Sequence, residues 1–197
     1  GQVIPSTNTS VQLNAVMEDG EIVRGETNIP KTNKKIDRVF LEPGDVEPME
    51  EAVEALEHAD LIVLGPGSLY TSVISNLCVK GVSEALLRSK APKLYVSNVM
   101  TQPGETDNYD VKEHIDAICQ QVGEDFIDFV ICSNENYSKD VLRRYEEKNS
   151  KPVEVHKEEL KNKGIRVLTA SNLIEISDEH LVRHNTKVLS GMILSLI

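Results

Sequence analysis

The spacing of apolar positions changes partway along this chain. Over residues 11–17, Val11, Leu13, Ala15 and Met17 alternate with Gln12, Asn14 and Val16, and Glu18-Asp19-Gly20 then leads to Ile22 and Val23. A period of two closed by a turn predicts a half-buried β-hairpin. The polar run NIPKTNKK at 28–35 reads as a surface loop, and Arg38-Val39-Phe40-Leu41 as another short strand, stopped by Pro43-Gly44-Asp45. From residue 49 the period becomes helical. Met49, Ala52, Val53, Leu56 and Ala59 fall on one face, with Pro48 suited to the first turn. Three strand-and-helix units follow, at 61–64 with 79–87, 93–96 with 111–122, and 126–131 with 139–146. A strand at Val167-Leu168 and a last helix at 186–196 complete the pattern.

Solid apolar strands such as DLIVLG and DFVIC, each followed by a helix, predict an α/β fold. The expected form is a mostly parallel sheet covered on both faces, with the β-hairpin appended. No repeat, low-complexity run or linker divides residues 1–197, so a single domain is expected. The 197 residues, 40% of them hydrophobic, suffice for one sizeable core.

A net charge of -11, from 32 acidic against 21 basic side chains, argues against DNA, RNA or an anionic membrane surface as the main partner. It does not argue against a small phosphate ligand, which backbone amides and one or two arginines can hold locally. The three cysteines, Cys78, Cys119 and Cys132, are far apart and embedded in apolar stretches, so they read as core thiols of a reducing compartment. No stretch is apolar enough to span a bilayer and no leader opens the chain, which makes the cytoplasm the expected location. Gly1 is not a start methionine, and GQVIPSTNTS runs straight into a strand; an absent amino-terminal part is the expectation.

Ligands of open parallel sheets sit beyond the carboxyl ends of the strands, so the loops leaving the three units are the candidates. The first reads Gly65-Pro66-Gly67-Ser68-Leu69-Tyr70-Thr71-Ser72. Its glycines let the backbone approach a ligand, and Ser68, Tyr70 and Thr71 bring hydroxyls near a helix start, which suits a phosphate. A tight turn would use the same glycines, and without GxxxxGK[ST] or GxGxxG both readings stay open. The second loop, residues 97–107, is long for a strand-to-helix connection and rich in amides and hydroxyls, with Asn98, Thr101, Gln102, Gly104 and Thr106 as candidate contacts. A helix cap at Thr106 or Asp107 explains only part of it. The third, residues 133–138, offers Asn134 and the ring of Tyr137. Arg183-His184, ahead of the last helix, suits a diphosphate, although a solvated arginine is the commoner outcome. His114 reads as a satisfied interior or rim histidine; His58, His156 and His180 read as surface residues. No set of His, Cys, Asp and Glu has metal-ligand spacing.

The strings LGPGSLYTSVISN, at 64–76, and SNVMTQPGETDNYDVKEH, at 97–114, closely resemble the signature loops of YvcK-type proteins, the gluconeogenesis-factor branch of the CofD-like family. The likeness extends through PSTN at 5–8, the VFLEP strand and VRHN at 182–185, and so covers nearly the whole chain. The resemblance implies a Rossmann-like three-layer fold with a pocket at the strand ends. Its transferase relatives accept a guanine-nucleotide-activated phospholactate and a deazaflavin, whereas the YvcK branch is associated with UDP-sugars and with central-carbon and cell-wall homeostasis. Family members normally open with a strand and a GGGTG phosphate loop that would precede Gly1. They usually carry proline where Ser75 stands and aspartate where Asn185 stands.

The expected function is therefore a regulatory protein binding a nucleotide-sugar, more a binder than an enzyme. The alternatives are a 2-phospho-L-lactate transferase-like enzyme acting on a nucleotide-activated hydroxy acid, and a pure interaction module. No cofactor is called for by the residues, though Mg²⁺ would accompany a nucleotide in the transferase case. Base, sugar and oligomeric state, a homo-oligomer included, stay open.

Overall fold

The computed structural model describes residues 1–177 and 181–197; His180 lies outside them. Its centre is a parallel sheet of β4 (Ile62–Leu64), β5 (Lys93–Val96), β6 (Phe129–Ile131) and β7 (Arg166–Leu168), hydrogen-bonded in chain order. Strand alternation sorts the side chains between two faces. Ile62, Leu64, Tyr95 and Val130 point into one apolar cluster, with Val82 and Leu86 of α3 (Lys80–Arg88) and Ile115 and Ile118 of α4 (Val111–Val122). Leu94, Val96 and Ile131 point the other way, against Leu189 of α7 (Thr186–Leu194). Both faces are thus covered, as continuous apolar strands require.

The amino-terminal strands form a second sheet. β1 (Gln12–Met17) pairs antiparallel with β2 (Ile22–Arg24) on one side and β3 (Ile36–Glu42) on the other. The appended hairpin is therefore three-stranded, because the 38–41 strand joins it and not the parallel sheet. β3 rests on α2 (Ser75–Leu77) and α4, and Leu13, Ala15, Met17, Val39 and Leu41 belong to the same apolar cluster as the helices. α1 (Glu50–Glu57) lies against α3, its Leu56 half buried.

Helix ends follow local chemistry. Asp110 and Glu113 form a reciprocal capping box on α4, and Ser138 accepts from the Val141 N–H at the start of α5 (Lys139–Glu146). Two expectations are corrected, and further elements appear that the sequence pattern does not predict. The polar run at 28–35 is not a loop throughout: Glu26–Thr32 is a 3₁₀ helix whose Ile29 is fully buried, one apolar residue being enough to anchor it. The strand expected over 126–131 shortens to Phe129–Ile131. An unforeseen helix, α6 (Lys157–Asn162), and an unforeseen antiparallel pair, β8 (Ile174–Ile176) with β9 (Val182–His184), follow α5.

All three thiols are free; Cys119 and Cys132 are buried and Cys78 is half buried. Burial pushes the Cys78 thiol up to about 12, and those of Cys119 and Cys132 to about 11. Since the thiolate is the reactive form, a disulfide reagent at neutral pH is expected to label the native protein slowly and the unfolded protein at three sites. Fast native labelling of Cys78, followed by absorbance, would contradict this packing.

Candidate functional site

Residues of the loops leaving β4 and β5 line a cleft of about 800 Å³ together with residues of β8, β9 and the start of α7. The cleft sits at the carboxyl ends of the parallel strands, and its volume suits a small organic ligand. Gly67, Ser68, Asn98, Thr101, Gln102, Arg183 and His184 all line it. The side chains facing inward are already aligned. Asn98 Nδ2 donates to Gln102 Oε1 at 3.0 Å, and Gln102 Nε2 donates to Ser68 Oγ at 2.9 Å. That chain of hydrogen bonds joins the two loops through residues that line the cavity.

The other candidates from sequence lie elsewhere. Tyr70 is buried, its hydroxyl 2.9 Å from that of Tyr109, and burial pushes the phenol's pKa up. Thr71 Oγ1 donates to Glu105 Oε1 at 3.0 Å, and the Tyr70 N–H donates to Glu105 Oε2 at 3.2 Å. Glu105 is buried. A helix start near Gly67 suits a hydrogen-bond acceptor, and here the protein's own Glu105 carboxyl group takes that place at the first turn of the π-helical segment Leu69–Ile74. Burial raises the Glu105 pKa, and the bonds from Thr71 and Tyr70 oppose that rise. Thr106 is fully buried and its Oγ1 accepts the Gln102 N–H at 2.8 Å, so it shapes the loop. Gly104 is packed against the Pro30 backbone. Gly65 borders a neighbouring apolar groove, and Asn134 is exposed and outside the cleft. Thr101, although at the cleft wall, uses its Oγ1 to accept the Lys151 N–H at 3.1 Å.

Arg183 and His184 lie on β9, which the sequence reading did not foresee as a strand. Burial lowers the His184 pKa, with a backbone hydrogen bond at Ser97 opposing, and its Nε2 is buried without a partner. Asn185 caps α7, its Oδ1 accepting from Lys187 N at 3.1 Å and Val188 N at 3.2 Å. An amide serves that task as well as a carboxylate. Ser72, the last residue of the first candidate loop, also lines the cleft, and so do two residues that sequence reasoning missed, Glu175 and Tyr145, the latter's hydroxyl accepting the Val182 N–H at 2.8 Å and so tying α5 to β9. His114 is fully buried, with Nδ1 2.7 Å from the Asp110 carbonyl oxygen and Nε2 without a partner, and burial lowers its pKa. His58 and His156 are exposed. Among the described residues no group of three or more His, Cys, Asp or Glu is placed to hold a metal ion, and no helix is long and apolar enough to cross a membrane.

The family model described as 2-phospho-L-lactate transferase CofD matches residues 1–173. The gluconeogenesis factor of Bacillus subtilis (strain 168) is 40% identical over the whole chain, which covers 62% of that protein. The gluconeogenesis factor of Halalkalibacterium halodurans is 44% identical over 98% of the chain, covering 60% of that protein. A crystal structure of a UPF0052-family protein from Bacillus halodurans superposes with a TM-score of 0.93 at 44% identity, over 98% of this chain and 62% of that one. The chain thus spans about three fifths of the length of the relatives it matches.

Proposed function

The chain belongs to the CofD family, among relatives named gluconeogenesis factors, and on that premise we propose that it is a cytoplasmic regulatory protein whose cleft binds a nucleotide-sugar of the UDP-sugar kind. Its role would be to report nucleotide-sugar supply to central carbon metabolism and cell-wall homeostasis. One observation carries the reading. Arg183 and the Ser68–Gln102–Asn98 chain line the same cavity, which is large enough for a sugar, a diphosphate and part of a nucleoside. Gly67, Ser68, Ser72 and Arg183 supply the donors that phosphate oxygens need, and Asn98 and Gln102 supply paired amides for sugar hydroxyls or a base edge. An accompanying Mg²⁺ would be carried by the ligand's own phosphates.

Titration calorimetry with a UDP-sugar tests this. Arg183→Ala is expected to weaken binding about tenfold, since a hydrogen bond to a charged group contributes on the order of 1.5 kcal/mol at an exposed position. The Arg183 side chain is exposed on a strand whose backbone pairing it does not make, so the melting temperature should not move. An unchanged dissociation constant removes Arg183 from the site. Product formation with a deazaflavin acceptor would assign the transferase reading instead.

A further inference from the structure

β8 and β9 pair so that Glu175 stands directly across from Arg183, and both residues line the cleft. Directly opposed residues of an antiparallel pair carry Cβ atoms about 4.5–5.5 Å apart. An anion held by the guanidinium therefore also feels the carboxylate. Among the described residues lining the cleft, Arg183 and Glu175 are the only Asp, Glu, Lys or Arg side chains. His184 adds no charge at neutral pH, because burial holds its pKa below the ordinary histidine value. Among the described residues the charged lining of the cleft is thus balanced, within a protein whose net charge is -11. The one arginine among the described lining residues thus has an acid set directly across from it.

We propose that Glu175 is the specificity-determining residue of this cleft: by opposing Arg183 it admits a diphosphate esterified at both ends and disfavours nucleotides that end in a free terminal phosphate. The proposal rests on the nucleotide-sugar reading and refines it. Each phosphate of a nucleotide-sugar carries one ionised oxygen. A terminal phosphate adds a second ionisation, with a pKa of about 6, and so is more highly charged at neutral pH. At roughly 7 Å from a carboxylate, at a partly solvated surface, each added negative charge weakens binding about three- to tenfold. Neutralising Glu175 should therefore help UTP most, UDP less and a UDP-sugar least.

The test is titration calorimetry of UDP-glucose, UDP and UTP on the parent chain and on Glu175→Gln, in EDTA so that no metal offsets ligand charge. Glu175 is exposed, so an unchanged melting temperature should certify the variant. The parent is expected to prefer UDP-glucose. Glu175→Gln should tighten UTP about tenfold or more beyond whatever it does for UDP-glucose, since UTP carries two more negative charges at about threefold or more each, and high salt should shrink the gap because it screens exposed charges. Equal changes for all three ligands, no change, or a parent that prefers UTP would overturn the proposal while leaving nucleotide binding in place. A parent that binds none of the three removes the nucleotide-sugar reading, and this proposal with it.

Discussion

Gly104→Ala is expected to destabilise the protein by more than about 4 kcal/mol, a loss that few single substitutions reach. Two costs coincide at this position. Its φ of +80° lies in the left-handed region, which costs a residue with a Cβ on the order of 1–2 kcal/mol. The larger cost is steric. A Cβ there would overlap the Pro30 carbonyl oxygen and lie 2.7 Å from the Pro30 carbonyl carbon and 2.8 Å from its Cα, so backbone, which cannot rotate away as a side chain can, would have to move. Gly123→Ala is the control: its φ is +87° but open space surrounds it, so only the conformational cost of about 1 kcal/mol remains. Thermal or urea unfolding of the two variants measures the difference. Equal losses would mean that the loop after β5 does not rest on the Glu26–Thr32 segment.

That contact marks where sequence reading stops. The parallel strands and their helices were legible because apolar runs of a few residues alternate with segments of helical period, and such patterns are local. The cleft was legible in part, because a parallel sheet places its loops at one end whatever their contents. What could not be read is which polar side chains face the cavity and which face each other. Tyr70, Thr71 and Thr106 look like Ser68 and Gln102 in a string of letters, yet the first three are spent on the protein itself. Their partners lie on other segments or on neighbouring turns of the same loop, and no period reports such pairings. The β8–β9 pair escaped notice for a different reason: three-residue strands with one or two apolar positions carry too little alternation to stand out.

Glu105 shows the same limit, and its removal is the second large effect expected. In sequence it is one acidic residue among many; in the fold it is buried and holds the two cleft loops together through Tyr70 and Thr71, about 35 positions away. Glu105→Ala leaves the buried Tyr70 N–H without an acceptor, a loss of about 2 kcal/mol. Hydrogen exchange of the Tyr70 and Thr71 amides should accelerate as that end of the Leu69–Ile74 segment loosens. The effect depends on pH with a definite sign. Because burial raises the Glu105 pKa, the folded state binds more protons than the unfolded state between the ordinary value of 4.5 and the raised one. Stability contributed by this carboxyl is therefore complete below 4.5 and declines as pH rises through the folded value. The gap in unfolding free energy between parent and Glu105→Ala should be wider at pH 4 than at pH 7. Measuring both proteins at both pH values cancels the opposite trend of His114 and His184, whose lowered pKa values make the fold less stable in acid and which both proteins share. A gap that widens with rising pH would mean that Glu105 is stabilised as a carboxylate, and that the loop clamp is an anion site in its own right.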